Sequence, residues 1–361
     1  MGKTETGGRP RGGPAKTALQ AEMLASRLRK RYRHLGKWAR RAGVGAFRLY
    51  DRDIPEIPLV LDLYGDAGSG ALAVAGALYK RPYEKSEGEE ALWLAAMRAA
   101  AAGALGIGEG GVIVKLRQRQ RGAAQYERIS AEGVVMETRE GGVRFRVNLS
   151  DYLDTGLFLD RRAMRRMVGA DSGGKRVLNL FCYTASFSLH AAAGGAASTD
   201  SVDLSNTYLG WARDNFALNG ISARALRRGE RFGRGVGGGC RHRLVRADVP
   251  AFLRDAAAAG ERWDLIVADP PAFSNSAAAG GDFDLRRDFA GLLGSAAALL
   301  APGGRLWFSA SARSFRASAG DLEAALAPRH PGIEVADISG RALDEDFRGR
   351  KAPRAFAISL A

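Results

Sequence analysis

The chain contains few cysteines and no long apolar run, and each of these shortages excludes a class of protein. Of its 361 residues, only Cys182 and Cys240 are cysteines. Two are too few for a disulfide scaffold, and no CxxC pair or His/Cys cluster has zinc-ligand spacing, so we predict no metal site. No run of about 20 strongly apolar residues is present, which argues against a membrane span. The basic N-terminus lacks the apolar core of a secretory signal, so a reducing cytoplasm is the expected location.

Acidic residues are also scarce relative to basic ones. The sequence has 54 Lys and Arg residues against 39 Asp and Glu, a formal net charge of +15 at pH 7. Residues 1–53 alone hold 14 basic and 4 acidic side chains. A general Arg-rich composition would not concentrate charge in this way. The clustering predicts a polyanionic partner, and a nucleic acid suits it best.

Residues 1–150 divide into a basic tail and a small domain. Residues 1–17 contain almost nothing apolar and are predicted to be disordered. From 18 to 41 the apolar residues recur at helical spacing, which predicts a basic amphipathic helix. Strands are expected at 57–64, 71–79, 111–117, 125–130, 133–138 and 143–148, with a helix at 88–103. Residues 18–150 are therefore predicted to form an α+β RNA-binding domain that begins with the basic helix.

Two groups of basic residues in this domain are candidate RNA contacts. Arg31 and Lys37 lie on the polar face of the predicted helix. Such a helix could also lie on a membrane surface, but RNA fits the rest of the chain better. Alternation places a second group on one side of an extended segment, namely Lys115, Arg117, Arg119 and Arg121. These would follow a phosphate backbone, whereas the structural alternative is a solvated edge strand protected by charge.

From residue 151 to 361, strand and helix patterns alternate. Strands are expected at 176–181, 196–202, 242–246, 263–268, 305–309, 333–338 and 353–360. Helices are expected at 186–193, 205–219, 250–258 and 283–300. This alternation is typical of an α/β fold with a parallel, doubly wound sheet. Residues 226–241, rich in Arg and Gly, interrupt the pattern as an inserted loop.

Three acids follow successive predicted strands and indicate a cofactor. A dinucleotide fold would carry GxGxxG after residue 181, and that motif is absent. Asp203 follows the second strand and can accept hydrogen bonds from ribose hydroxyls. Asp248 follows the third and could approach an adenine amino group, while Asp269 follows the fourth. Together they suit S-adenosyl-L-methionine, which has a ribose, an adenine and a sulfonium but no phosphate. For each acid alone, a helix N-cap or an exposed turn is the alternative.

The segment 269–276 is a candidate substrate loop. Its two prolines stiffen the chain after a buried strand and prevent the strand from continuing. Asp269 stands at the strand end, where ligands bind in open α/β sheets. Phe273 follows at a distance suited to lying against a planar ring. A methyltransferase could hold a nucleobase in this way, although a tight strand-to-helix turn with a core Phe would give the same residues.

The chain resembles the ribosomal-RNA large-subunit methyltransferase K/L family, in particular its K half, a 23S rRNA guanine-N7 methyltransferase. The matching segments are 23–41, 47–51, 115–125, 148–161, 179–186, 269–276 and 308–316. The resemblance implies a class I methyltransferase with a Rossmann-like, seven-stranded sheet. It places Phe158, Asp160 and Arg161 at the methionine end of the cofactor. The cofactor-binding set is then completed by Asn179, Phe181, Tyr183, Thr184, Ala185, Asp203, Leu204, Asp248, Asp269 and Pro271. Ala185 departs from the glycine usual in the family and is expected to require an ordinary φ.

The sequence also bears on which atom is methylated. Relatives that methylate cytosine C5 use a cysteine thiolate, and this chain has none after Ser309. Guanine N7 carries a lone pair and no proton, so orientation of the base is sufficient. We assign that role to Asp269, with Phe273 stacking and Asn275 adding a polar contact. Cytosine-C5 methylation, amino-N methylation and a non-catalytic assembly factor remain alternatives.

The resemblance implies 23S rRNA or a large-subunit assembly intermediate as the partner. Functional pairing with a separate RNA-binding methyltransferase is a further expectation, and the sequence makes no prediction of the oligomeric state.

Overall fold

A computed structural model describes residues 13–80, 85–116, 130–226, 240–276, 281–310, 315–350 and 353–360, with the backbone alone at 274–276 and 281–282. The chain forms two compact units. The first comprises Met1–Ala42 and Ala46–Arg119, and the second comprises Gly43–Gly45 and Gln120–Ala361. Each unit has its own sheet.

The first unit contains a four-stranded sheet. Its strands are β1 (Ala46–Asp51), β2 (Leu59–Gly65), β3 (Leu72–Leu78) and β4 (Val112–Leu116), hydrogen-bonded in that order. The first three are antiparallel neighbours, whereas β3 and β4 run parallel. A parallel pair needs a crossover, and helix α2 (Glu87–Leu105) supplies it. A capping box between Ser86 and Glu89 starts this helix, and Gly106 ends it in the left-handed region at φ 70°.

Helix α1 (Pro14–Ala42) is the predicted basic amphipathic helix. It buries Leu24, Leu28 and Leu35. Trp93 on α2 donates its indole N–H to the Gln20 side chain of α1 at 2.7 Å, which satisfies both polar groups in a buried place. The helix begins earlier than expected, because residues 14–17 belong to it although a disordered tail was predicted through residue 17. Residues 1–12 lie outside the described part of the chain.

A two-stranded hairpin, β5 (Val135–Glu140) and β6 (Val143–Asn148), belongs to the second unit, although the sequence assigned it to the first domain. The reason lies in helix α5 (Asn206–Leu218) and the residue after it. Asn215 and Asn219 accept hydrogen bonds from the backbone N–H groups of Arg146 and Arg144, at 2.9 and 2.8 Å. These two amides satisfy the edge of β6 and attach the hairpin to the helix.

The second unit is built on an eight-stranded sheet. The strands are β7 (Arg176–Leu180), β8 (Ser198–Asp203), β9 (Ala223–Ala225), β10 (His242–Arg246), β11 (Trp263–Ala268), β14 (Leu300–Ala310), β15 (Ile333–Asp337) and β16 (Arg354–Leu360). Their order across the sheet is β9, β10, β8, β7, β11, β14, β16, β15. β16 is antiparallel to both of its neighbours, and the remaining pairs are parallel. Seven strands correspond to those expected, and the three-residue β9 is an additional edge strand.

Helices cover both faces of this sheet. Helices α3 (Arg162–Asp171) and α4 (Ser186–Ala193) contribute to one apolar core. Helices α6 (Val249–Ala258), α7 (Leu285–Ala297) and α8 (Ala319–Leu326) contribute to the other. The sequence did not predict α3, α8 or the hairpin β12 (Phe273–Ser276) and β13 (Gly281–Asp284). Among the helices of the described residues, none is long and apolar enough to cross a membrane.

A buried group of ions joins the hairpin to α3 and to the chain near the C-terminus. Glu140 accepts hydrogen bonds from Arg165 at 2.6 and 2.9 Å. Arg162 is fully buried and pairs with Asp346 at 3.0 Å and Asp344 at 3.2 Å. Burial alone would raise the pKa of Glu140, but the nearby arginines reverse this and hold that pKa well below its usual range. Each of these charges therefore depends on its partners, and the cluster couples three distant segments.

Candidate functional site

The parallel register brings the candidate residues to one edge of the sheet. Ala268 lies opposite Leu180 and Phe308, and Arg246 lies opposite Asp203. Asp203, Asp248 and Asp269 consequently lie at the carboxyl ends of β8, β10 and β11, at one edge of the sheet, where ligands bind in open α/β sheets. The turn 181–185 follows the central strand β7 at the same edge.

That turn has an unusual backbone. Phe181, Tyr183 and Ala185 have φ values of 56°, 53° and 61°, in the left-handed region. The expectation of an ordinary φ at Ala185 was wrong. Left-handed backbone costs a non-glycine residue about 1–2 kcal/mol, so other contacts must hold the turn.

Several hydrogen bonds hold this turn in place. The Tyr183 N–H donates to Asp203 at 2.9 Å, and the Ala185 N–H donates to the Cys182 carbonyl at 2.8 Å. Thr184 is buried, and its hydroxyl donates to the Gly156 carbonyl at 2.7 Å. The turn is thereby tied to the strand end of β8 and to the loop that precedes α3.

Asp203 organises the end of β8. Its two carboxylate oxygens accept the backbone N–H groups of Tyr183 and Ser205, both at 2.9 Å. Burial raises its pKa, although these backbone hydrogen bonds act in the opposite direction. A carboxylate has further lone pairs, so ribose hydroxyls could donate to it and offset its burial. This donor and acceptor arrangement fits a ribose.

Asp248 is the N-cap of α6, as the structural alternative foresaw. Its side chain accepts the Ala251 N–H at 3.2 Å, and Pro250 occupies the first turn. N-capping engages one oxygen and leaves acceptor capacity on the carboxylate. Asp248 therefore caps α6 at the same edge of the sheet as Asp203.

Asp269 is bound by two residues that come from distant parts of the chain. The Arg161 Nε donates to both carboxylate oxygens at 3.0 Å, and the Ser309 hydroxyl donates to Oδ1 at 2.5 Å. Arg161 is 3% exposed and also pairs with Asp160 at 3.2 Å. Burial alone would lower the pKa of Arg161, but Asp269 and Asp160 reverse this and raise it. Asp269 is therefore the counter-ion of a buried arginine.

Aromatic and apolar side chains surround this edge and are partly open to solvent. Phe158 is 40% exposed, Leu204 is 41% exposed and Phe273 is 43% exposed. The rings of Phe158 and Tyr183 lie 4.9 Å apart between centroids, and Phe181 lies 5.9 Å from Phe283. Exposed rings beside a carboxylate can stack on planar groups. These surfaces suit an adenine or a nucleobase.

Three expected site residues are placed differently or only in part. Asn179 is 1% exposed, and its amide donates to Ser188, which in turn contacts Ser201. It therefore links β7 to α4 within the core and does not line the open edge. Pro271 is partly exposed beside Asp269. Asn275 belongs to β12, and its side chain lies outside the described residues.

The described thiols do not supply a nucleophile at this edge. Burial raises the pKa of Cys182 well above its usual value, and the charge of Asp203 adds to the effect. A protonated thiol is a poor nucleophile. Cys240 lies away from this edge, because it precedes the amino end of β10. Its sulfur donates to the carbonyls of Ser222 and His242. Among the described residues, no group of His, Cys, Asp and Glu could hold a metal ion.

The expected RNA contacts have mixed placements. Lys37 is exposed on α1, whereas Arg31 is partly buried and donates to the Leu49 carbonyl at 3.3 Å. Lys115 is only 8% exposed on β4, so the expectation that it faces outward is wrong. Successive side chains of a strand lie on opposite faces, so Lys115 lies on the face opposite its neighbour Leu116, which is 57% exposed. The remaining members of the strip, Arg117, Arg119 and Arg121, lie outside the described residues.

Sequence reasoning missed Ser309 as a partner of Asp269 and did not foresee that Arg161 would bind the same carboxylate. Arg161 and Asp269 are 108 positions apart, and Ser309 follows Asp269 by 40. The available signal was positional, because Ser309 lies near the end of β14, next to β11. Polar residues at neighbouring strand ends meet at the same edge.

Comparisons with known proteins agree with this geometry. A family model described as S-adenosylmethionine-dependent methyltransferase matches residues 52–313. Ribosomal RNA large subunit methyltransferase K/L of Pseudomonas paraeruginosa is 45% identical over 348 residues, which cover 96% of this chain and 43% of that protein. The protein of the same name from Stutzerimonas stutzeri is 46% identical over 350 residues, with coverages of 96% and 43%. The chain thus spans less than half the length of these relatives, and the resemblance stated from the sequence is confirmed.

Solved structures confirm the fold class. A putative SAM-dependent methyltransferase from Streptococcus mutans superposes with a TM-score of 0.70 at 22% identity, covering 94% of this chain and 81% of that one. A putative methyltransferase complexed with SAH gives a TM-score of 0.71 at 22% identity, with coverages of 94% and 82%. At this identity the likeness shows the fold alone.

Proposed function

Because the chain belongs to the S-adenosylmethionine-dependent methyltransferase family, we propose that it methylates N7 of a guanine in 23S ribosomal RNA. The main support for this substrate is the 45% identity to Ribosomal RNA large subunit methyltransferase K/L over 96% of this chain. The basic face of α1, with Lys30, Arg33 and Lys37 exposed, provides the charge that an RNA partner requires. The substrate is either the free RNA or a large-subunit assembly intermediate.

The residues at the strand ends fit the cofactor. S-adenosylmethionine, when bound, supplies a methyl group activated by a positively charged sulfur. Asp203 would accept the ribose hydroxyls, and Leu204 would cover the adenine beside Asp248. Phe158 and Asp160 would lie at the methionine end, as the family resemblance implies. The turn at 181–185, which has a left-handed backbone at Phe181, Tyr183 and Ala185, would place these side chains beside the cofactor.

The side chains at the substrate end favour orientation over covalent or acid–base chemistry. Cys182 stays protonated, which disfavours the thiolate attack needed for cytosine C5. Asp269 already accepts hydrogen bonds from Arg161 and Ser309. We infer that Asp269 holds Arg161 and presents its remaining acceptor capacity to the base. Guanine N7 has no proton to remove, so such an arrangement is sufficient for it.

The base must be unpaired or leave its helix to reach this edge. Phe273 is exposed and would stack on the base, and Asn275 would add a polar contact. Residues Arg117, Arg119 and Arg121 would bind flanking phosphates. We further propose that a separate RNA-binding methyltransferase acts together with this chain on the same RNA.

The test is methylation of unmodified 23S rRNA in vitro, followed by mass mapping of the modified nucleotide. We expect one 7-methylguanosine. A methyl group on cytosine C5 or on an exocyclic amine would replace the N7 assignment with one of the alternatives. A chain that binds no S-adenosylmethionine in calorimetry would instead be a non-catalytic RNA-binding factor. In cells, a deletion strain that keeps all its 7-methylguanosine in 23S rRNA would contradict the proposal.

A further inference from the structure

A cavity in the second unit lies beside the candidate site, between the β5/β6 hairpin and α5. It has a volume of about 280 Å³, and Tyr152, Trp211, Arg146 and Arg213 contribute to its wall. We propose that it binds one unpaired nucleotide of the RNA substrate that flanks the methylated base. This inference rests on the proposed function, because it takes RNA as the substrate.

The walls of the cavity are held rigidly before any ligand arrives. The Trp211 indole donates to the Arg146 carbonyl at 2.8 Å, and Asn215 accepts the Arg146 N–H at 2.9 Å. On the loop side, Gly156 has φ 93°, and a Cβ added there would lie 2.2 Å from the Trp211 ring. The loop therefore packs directly on the indole. A preorganised wall loses little conformational entropy when a ligand binds.

The chemistry of the lining fits a nucleotide. The Tyr152 and Trp211 rings are 5.8 Å apart, and Tyr152 is the more exposed of the two. A base can stack on such a ring whatever its identity. Arg213 and Arg146 have side chains 67% and 51% exposed, so a phosphate could reach both. Asp214 lies between them, 3.6 Å from Arg146, and leaves the three side chains with a net single positive charge.

Size and position restrict the occupant further. A cavity of about 280 Å³ is at the small end of ligand sites, which suits a single nucleoside. Trp211 lies 6.5 Å from Tyr183, and Tyr183 lies 4.9 Å from Phe158. A continuous row of rings therefore leads from the cavity to the turn that would hold the cofactor. A nucleotide bound here belongs to the same strand of RNA, close to the target base.

The experiment measures binding of an unmodified 23S rRNA transcript by the full chain at several salt concentrations. Tyr152→Ala should weaken binding by about 5- to 100-fold, as expected for loss of one stacked base, and Tyr152→Phe should restore it. Arg213→Ala should weaken binding. It should also reduce the slope of log affinity against log salt concentration by about 1, as expected for the loss of one phosphate contact. Asp214→Asn should act in the opposite direction and tighten binding at low salt, because it removes a repelling charge.

The matched control is Arg254→Ala, which removes an exposed arginine from α6 on the other face of the sheet. It should leave RNA affinity near that of the native chain. Calorimetry with S-adenosylhomocysteine should give the same affinity for every variant, which separates an effect on RNA from damage to the cofactor site or the fold.

The outcomes distinguish this site from the proposed function. If the native chain binds the transcript and the Tyr152 variants behave as expected, the cavity is an RNA subsite even where mapping shows a modification other than N7. Unchanged affinity and salt slope in both Tyr152→Ala and Arg213→Ala would overturn the proposal, whatever base is methylated. Tyr152-dependent binding of free GMP that does not compete with the transcript would also overturn it, in favour of a free-nucleotide site.

Discussion

Replacing Asp269 with Asn removes the negative charge that faces Arg161 in its buried position. Arg161 is 3% exposed, and its Nε lies 3.0 Å from both oxygens of Asp269. Two unit charges about 4 Å apart interact by about 4 kcal/mol at an effective dielectric constant of about 20. Asp160 at 3.2 Å supports the same guanidinium, so we expect a coupling free energy of about 2–3 kcal/mol in stability.

A double-mutant cycle measures this coupling directly. The variants are Asp269→Asn, Arg161→Gln and the double replacement, with unfolding in urea followed at neutral pH. The control cycle uses Arg354 and Asp337, which are 2.8 Å apart but have side chains 32% and 40% exposed. An exposed pair of this kind should couple by about 0.2–1 kcal/mol.

A coupling below about 0.5 kcal/mol for Arg161 and Asp269 would refute the argument from burial, because that value is typical of exposed pairs. Activity gives a second reading. If Asp269 acts only by positioning, Asp269→Asn should lower kcat/KM and retain measurable turnover. Complete loss of turnover with cofactor binding intact would instead show that the carboxylate takes part in the chemistry.

Other predictions concern groups outside that pair. Glu140→Gln should destabilise the chain by about 3–5 kcal/mol, because Arg165 would stay buried without its counter-ion, and urea unfolding would detect this. Since the pKa of Glu140 is lowered in the fold, the difference from the native chain should be full above about pH 5 and shrink as the pH falls below about 4. Cys182 should react with iodoacetamide far more slowly in the folded chain than in urea, because its pKa is raised by burial; equal rates would contradict this. Gly156→Ala should cost more than about 2 kcal/mol, as its new Cβ would meet Trp211 and its φ of 93° suits only glycine, and a smaller loss would show that the loop moves readily.

The placement of the hairpin has a consequence for how the site is built. Asn215 near the end of α5 and Asn219 directly after the helix satisfy the backbone of β6, and Trp211 on the same helix bonds to that strand as well. Asn215 also donates to the Thr184 carbonyl in the left-handed turn. One helix thus positions both the turn that would hold the cofactor and the cavity beside it. A change on α5 should therefore affect RNA and cofactor together unless it is confined to the outward-facing Arg213 and Asp214.

Much of the fold follows from local patterns in the sequence. Apolar runs of five or six residues, followed by helical periodicity, predict the strands of the large sheet. For most of these strands, the predicted ends lie within one or two residues of the observed ones. Strand-terminal acids such as Asp203 and Asp269 can be predicted for the same reason, because the predicted end of a strand also locates the acid at that end. N-caps such as Asp248 depend on residues three positions apart. Each of these features is determined by residues that are close together in the sequence.

Tertiary structure decided what these residues contact. Whether Lys115 faces outward depends on which face of the four-stranded sheet is covered, and in the folded unit Lys115 is only 8% exposed. Ala185 can remain left-handed only because hydrogen bonds from distant loops hold the turn, an effect that no local preference reveals. Arg161 and Ser309 reach Asp269 across separations of 108 and 40 residues. The sequence alone thus determined that an acid would stand after β11, and only the packed sheet decided that this acid would serve as the counter-ion of a buried arginine, because burial and partnership arise when separate strand ends meet.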